Sequence, residues 1–210
     1  MKKKYLNSIV KHYEDCLEKH GDSHLGVDWP KPEDVNTRYR VMMDIIRLAN
    51  DQSDVSLLDF GCGAAHLLEY INATQITNVK YTGLDVSEKF VSLSREKFPQ
   101  TDFYCADILA DNVVLPTFDY VIMNGVFTEK RDLSFDEMWV YFCNMLERVF
   151  SITGKGIAFN VMSKAVDWER DDLFHVPADL LIGFLTKKLT RNFVIRNDYG
   201  LYEFTTYIYK

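Results

Sequence analysis

The sequence predicts an α/β fold built on a doubly wound, mostly parallel seven-stranded sheet. Three observations carry this. First, short apolar runs alternate with helix-period segments from residue 55 onward, the mark of a parallel sheet covered on both faces. Second, the earliest of these runs, VSLLDF, opens directly into the turn Gly61-Cys62-Gly63 and then into a helical pattern. Third, the chain closes on two β-rich runs around Tyr199–Gly200, which predicts a terminal antiparallel hairpin.

The elements follow in order. Helical spacing runs from the N-terminus to about His20. Gly21, Gly26, Pro30 and Pro32 break the stretch from Gly21 to Asp34 into a loop. DVNTRYRVMMDIIRLAN then resumes the helical period. After VSLLDF, the helix AAHLLEYINA leads to the strand VKYTGLDV and the helix SEKFVSLSREKF, with Ser87 as its N-cap. TDFYCADI and FDYVIMNG are further strands. Ser134 and Glu137 have capping-box spacing at the head of a long helix ending near Thr153. KGIAFNVMS is a fifth strand, and ADLLIGFLTKKLT a helix after Pro177. This order is Rossmann-like. The N-terminal helices, carrying Tyr5, Tyr13, Trp29, Arg38 and Tyr39, have no place in such a sheet. Residues 1–52 are therefore expected to form a helical lid and residues 53–210 the core of a single domain.

Composition excludes several classes. The net charge of −7, from 24 basic and 31 acidic residues, opposes a duplex nucleic-acid partner. Cys16, Cys62, Cys105 and Cys143 contain no C-x-x-C pair, so reduced thiols in a cytoplasmic protein are expected. No apolar run approaches the length of a membrane span. His12, Cys16 and His20 share a helix face. At ~1.5 Å per residue they spread over about 12 Å, too far to meet one ion, so no metal is expected. A monomer or homodimer is expected.

Ligands on doubly wound sheets bind beyond the carboxyl ends of the strands, where the winding reverses. The loop there has His66 where a dinucleotide fingerprint needs its third glycine, and the Walker pattern is missing. Asp59 precedes Gly61 by two residues. A carboxylate at that place repels a pyrophosphate and suits a cationic ligand. S-adenosylmethionine, with its sulfonium and ammonium, is such a ligand. The later strand ends agree. Asp85, with Val86 beside it, is placed to take two ribose hydroxyls. Asp107, with Ile108, is placed to accept from an adenine amino group. Asn124-Gly125 allows close backbone approach to a methionine moiety.

In these residues the chain resembles the class I S-adenosylmethionine-dependent methyltransferases over roughly residues 53–210, with Ala65 in the third glycine place of the acidic-x-G-x-G-x-G motif. HGDSHLGVDW, NGVFTEK, DLFHVP and NDYGLYEFTTYIYK resemble a narrower group of small bacterial methyltransferases acting on small molecules. The resemblance implies methyl transfer to a sugar or phosphorylated precursor of surface polysaccharide, with S-adenosylhomocysteine as product; oxygen is the expected acceptor atom. An NAD-dependent oxidoreductase and a non-catalytic cofactor-binding subunit are the alternatives.

Acceptor-side residues are expected in polar loops beside the strand ends. Trp29 and Trp168 lie in GVDWPKP and KAVDWERDD, where no helical stripe demands an aromatic. Tyr13, Arg38 and Tyr199 join them. Lys130, beside Arg131, is placed to hold an anionic acceptor. His175, after the fifth strand, is the candidate general base.

Overall fold

The computed structural model describes residues 2–49, 53–110 and 113–210, with side chains from residue 6 onward. The Tyr5 side chain, Asp111 and the expected 52/53 boundary lie outside the described residues. Strands β1 (Val55–Phe60), β2 (Val79–Asp85), β3 (Asp102–Cys105), β4 (Phe118–Met123), β5 (Thr153–Ser163), β7 (Phe193–Arg196) and β8 (Glu203–Tyr209) run in the order β3-β2-β1-β4-β5-β8-β7. Neighbours are parallel except at β5–β8 and β7–β8, which are antiparallel. The chain winds outward from β1 to β3, then returns to β4 on the other side of β1. The winding therefore reverses between β1 and β4.

An eighth strand was not expected. β6 (His175–Val176) pairs in parallel with Met162–Ser163. The reason is length. β5 overruns β4, which pairs with it only as far as Phe159, so the end of β5 offers a free edge that the DLFHVP segment fills.

Both faces of the sheet are buried, as the continuous apolar run of β1 requires. Leu58 and Phe60 pack toward α5 (Phe135–Ser151) and α6 (Ala178–Phe184), around Phe127, Phe142, Phe159 and Phe174. A short π-helical turn (Leu185–Leu189) continues α6. Val55 and Leu57 pack on the other face toward α2 (Pro32–Leu48), α3 (His66–Ala73) and Val91 of α4 (Glu88–Lys97). Ser87 caps α4 by accepting from Phe90 N, and the Ser134–Glu137 capping box is formed in full.

One helix boundary moves. α2 begins at Pro32 rather than after Asp34, because proline is favoured in the first turn of a helix, where its missing N–H costs nothing. α2 also buries Tyr39, Val41, Met42, Ile45 and Ile46 against the sheet, so it is part of the covering layer. What lies over the strand ends is α1 (Lys2–His20) and the loop 21–31.

Candidate active site

A cavity of about 1140 Å³, measured out to its open mouth, lies at the carboxyl ends of the strands beneath α1. Asp59, Gly61, Cys62, Gly63, Asp85, Val86, Asp107, Ile108, Asn124 and Gly125 all line it. The sheet delivers one group of these from the end of each of its first four strands.

The β1–α3 turn depends on backbone geometry. Gly61 (φ 75°) and Gly63 (φ 51°) lie in the left-handed region. A Cβ on Gly61 would stand 2.8 Å from Val126 Cγ2, so the turn is closed to other residues on two counts. The Gly61 and Cys62 N–H groups both donate to Leu84 O, at 2.7 and 3.0 Å, tying the turn to β2. Ala65, in the third glycine place, also has a left-handed backbone (φ 57°) and is fully buried. It accepts the strain of that conformation without opening the helix contact. Burial pushes the Cys62 thiol well above its ordinary value, and the charges of Asp85 and Asp59 push it further.

Two acids sit in the wall, Asp59 sealed and Asp85 partly exposed. Asp59 is 4% exposed and accepts a hydrogen bond from Tyr81 Oη at 2.7 Å. Desolvation raises its carboxyl to about 7; the Tyr81 bond opposes this and the Asp85 charge adds to it. Asp85 accepts from Gly63 N and Ser87 N, both at 2.9 Å. Its carboxyl is raised by desolvation, against the pull of those backbone donors. Asp107 accepts from Leu109 N at 2.9 Å, which fixes the turn after β3. Tyr141 of α5 faces the same end of the cavity, its hydroxyl raised by burial and by the Asp107 charge.

The loop after β4 is held from behind. Gly125 N donates to Asn160 Oδ1 at 2.8 Å, and Asn160 Nδ2 donates to Glu203 Oε1 at 3.1 Å. Arg38 Nε donates to both Glu203 oxygens at 3.0 and 3.1 Å, and its guanidinium lies 5.3 Å from the Trp29 ring centroid. Trp29 in turn stands over Gly125, about 3.6 Å from where a Cβ would be. Asn124, next in the chain, has both side-chain polar atoms buried with no hydrogen-bond partner. A buried amide left unsatisfied costs about 1–3 kcal/mol per group, so this one is suited to a polar ligand in the cavity.

Above these residues, α1 presents Leu6, Ile9, Val10 and Tyr13 to the cavity, and the loop adds Val27 and Trp29. The spacing i, i+3, i+4, i+7 of the α1 set was a readable signal that the motif-based reading did not use. Polar contacts fasten this cover. Ser87 Oγ donates to Glu14 at 2.6 Å, and Asp22 meets His66 at 2.7 Å and Lys97 at 2.8 Å.

The acceptor-side expectations divide. Tyr13 and Trp29 line the cavity; Arg38 and Tyr199 do not. Arg38 is committed to Glu203, and Tyr199 to Thr205 at 2.9 Å. Lys130 turns back on Leu133 O at 3.1 Å, and Arg131 on Glu129 at 3.2 Å. Trp168 is exposed and packs against His175 and Tyr202, away from the cavity lining. His175 is the clearest correction. It is 5% exposed, its Nδ1 lies 2.7 Å from Ser163 O, and its Nε2 accepts from Arg170 N at 3.4 Å. Both ring nitrogens are spent on backbone groups that close the 164–174 loop, so the imidazole has none to offer an acceptor. The expectation of no metal cluster also changes. His20 ends α1 far from the others, but Asp28 comes in beside His12 and Cys16, with all three donor atoms within 4.8 Å of one another.

A doubly wound sheet with an antiparallel final strand, three strand-end acids and a glycine turn under a helical cover is an arrangement suited to an adenosine-type cation. Residues 58–136 match the methyltransferase-domain family model. The chain is 29% identical over 171 residues to a Mycobacterium tuberculosis protein named "Putative methyltransferase Rv1506c", covering 79% of this chain and 99% of that one. Among solved structures, it shares a fold with the magnesium protoporphyrin IX methyltransferase of Synechocystis with bound SAM. That match has a TM-score of 0.65 and 16% identity over 98% of this chain and 97% of the other. The plantazolicin methyltransferase BpumL, in complex with a desmethyl substrate analogue and SAH, gives a TM-score of 0.62 and 14% identity over 98% of both chains. These likenesses support a class I S-adenosylmethionine-dependent methyltransferase over the NAD-dependent alternative. Among the described residues, no helix is long and apolar enough to cross a membrane.

Proposed function

We propose that this enzyme methylates an oxygen of a small acceptor, a sugar or phosphorylated precursor of surface polysaccharide. The observation that carries the donor half of this reading is convergence. Every strand-end residue that the motif implicates opens onto one cavity, which also holds the unsatisfied amide of Asn124.

In this reading Asp59 sets a negative charge opposite the cationic end of the donor. Asp85 accepts from the ribose hydroxyls with the lone pairs its backbone donors leave open. Asp107 and the Ile108 segment meet the adenine edge, with Val86 against the ring. Asn124 and the Gly125 backbone hold the amino-acid end. S-adenosylmethionine, when bound, supplies a methyl group already activated by its sulfonium. The acceptor oxygen would form the new C–O bond as the C–S bond breaks, the sulfur keeping the electron pair and the hydroxyl proton leaving to bulk solvent. The protein's main contribution is to hold the two partners in line, roughly 3–3.5 Å apart, with water excluded.

Residues 1–31 form the lid in this proposal, and residues 32–210 the core. Tyr13 and Trp29, on the lid, border the acceptor. Among the described residues, no lysine or arginine lines the cavity, which favours a neutral hydroxyl-bearing face inside it. A phosphate on the acceptor would lie outside the mouth. The sugar-precursor class itself rests on the resemblance of the HGDSHLGVDW, NGVFTEK and DLFHVP segments.

Two measurements test this. Calorimetry should show S-adenosylmethionine and S-adenosylhomocysteine binding and NAD not binding. Incubation with methyl-labelled donor and a panel of free and nucleotide-linked sugars should give mass-labelled product. Donor binding with no turnover on any hydroxyl acceptor, and turnover on an amine instead, would overturn the oxygen assignment.

A further inference from the structure

A second group of chemically reactive side chains lies at the other end of the lid. His12 and Cys16 are one turn apart on α1, so they share a face. Asp28 enters from the loop with its Oδ2 2.9 Å from His12 Nε2. Glu129, from the segment after β4, brings Oε1 to 3.7 Å from the same nitrogen, while Arg131 holds its other oxygen at 3.2 Å. Cys16 Sγ lies 4.0 Å from His12 Nε2. The Glu129 backbone is fixed by an antiparallel bridge to Leu173, and its side chain is 8% exposed.

We propose that His12, Cys16, Asp28 and Glu129 form a binding site for a zinc-class divalent cation, which locks the lid to the core. The geometry is close to what such an ion needs. Tetrahedral zinc, with bonds of about 2.0–2.3 Å, sets its ligand atoms roughly 3.3–3.7 Å apart. The separations around His12 Nε2 are 2.9, 3.7 and 4.0 Å, and the donor atoms of His12, Cys16 and Asp28 lie within 4.8 Å of one another, so side-chain rotation is needed to bring Cys16 and Glu129 into the same shell. The charges suit it as well. A thiolate and two carboxylates face one imidazole, with Arg131 in contact and Lys19 and Arg170 farther off, so the cluster itself carries the negative charge a divalent ion needs. The mixture of sulfur, nitrogen and oxygen donors favours zinc over magnesium or calcium.

The consequence follows from which segments the ligands sit on. Two are on α1, one is in the loop, and one is on the core. Tyr13, between the two α1 ligands in sequence, and Trp29, next to Asp28, both face the cavity. An ion here would fix both lid aromatics in place without touching donor or acceptor.

The test uses the full chain, stripped with a chelator and dialysed. Zinc is titrated against a chromophoric chelator, and cobalt(II) serves as the optical probe. One equivalent should bind, and cobalt should give tetrahedral d–d bands and a thiolate charge-transfer band. Cys16→Ser should abolish the charge-transfer band. Asp28→Asn, a substitution at the exposed edge of the group, should weaken affinity about tenfold or more. Cys105→Ser, on the exposed β3 edge, should change neither. Circular dichroism checks each variant for folding, and zinc should raise the melting temperature of the wild type more than that of Asp28→Asn. Absence of stoichiometric binding, or a charge-transfer band that survives Cys16→Ser, overturns the proposal. In that case the group is a hydrogen-bonded His12–Asp28 contact alone.

Discussion

Donor affinity should fall steeply as pH drops through about 7, and Asp59 is the group responsible. Its carboxyl is sealed in the cavity wall and sits near 7 in the free protein, chiefly because burial penalises the charged form. A cationic ligand beside it requires that charge. Each binding event below pH 7 must therefore expel a proton. The apparent dissociation constant then rises about tenfold per pH unit, near tenfold at pH 6 and a hundredfold at pH 5 relative to the plateau above 7. Calorimetry in buffers of differing ionisation heat reads both numbers, the affinity and the proton released. Asp85 is raised as well, chiefly by desolvation, so the two carboxyls must be told apart. Asp59→Asn separates the two, since it should bind more weakly at pH 8 and lose most of the slope. An affinity that stays constant from pH 5 to 7.5 with no proton release would refute the electrostatic role of Asp59.

The same group makes a prediction about stability, with the opposite sign. In the unfolded chain the Asp59 carboxyl returns to its ordinary 3.8, below its folded value of about 7. The folded state therefore holds the proton more tightly. The stabilisation is fully present below about pH 4, declines as pH rises, and is gone above about 7. At 1.36 kcal/mol per pH unit the total is on the order of 4 kcal/mol. Asp59→Asn should then raise the melting temperature of the ligand-free protein at pH 8 while it weakens donor binding. A site that is costly to the empty fold and is repaid on binding is what a preorganised cation site requires. Equal melting temperatures for wild type and variant at pH 8 would count against it.

Three further outcomes are expected. Asp85→Asn should weaken S-adenosylhomocysteine binding roughly ten- to a hundredfold, through loss of charge-assisted hydrogen bonds worth about 1.5–3 kcal/mol, with the fold intact by circular dichroism. Deleting residues 1–20 removes the apolar roof of Leu6, Ile9, Val10 and Tyr13 and should leave a folded core that binds the donor but turns over poorly; full turnover would show that α1 is not the lid. His175→Gln, able to donate to Ser163 O and accept from Arg170 N, should keep turnover and its pH profile, whereas His175→Ala should lose about 1–3 kcal/mol in urea unfolding for each hydrogen bond broken. A pH profile altered in His175→Gln would restore that residue to the chemistry.

What the sequence made legible depended on how local the determinant was. The donor side is written in contiguous turns. Asp59-x-Gly61-x-Gly63 is one turn, and Asp85, Asp107 and Asn124 are each the last residues of an apolar run, so strand order alone carries them to one edge. All of them line the cavity. The acceptor side is written in pairings across the chain, and these were not readable. Arg38 looked free for a substrate because its partner, Glu203, is 165 residues away on β8. Through Asn160, that pair braces the Gly125 backbone instead. His175 looked like a loop base because nothing in DLFHVP announces that β5 outlasts β4 and recruits it as a two-residue strand. The proposed cation site turns on the same point. The helical spacing of His12, Cys16 and His20 spreads that triad along α1, but it could say nothing about Asp28 and Glu129, which arrive from other segments. A polar residue in a loop is thus a weak candidate until its partners are known. A polar residue at the tip of a buried parallel strand is a strong one, because the strand has already fixed where it points.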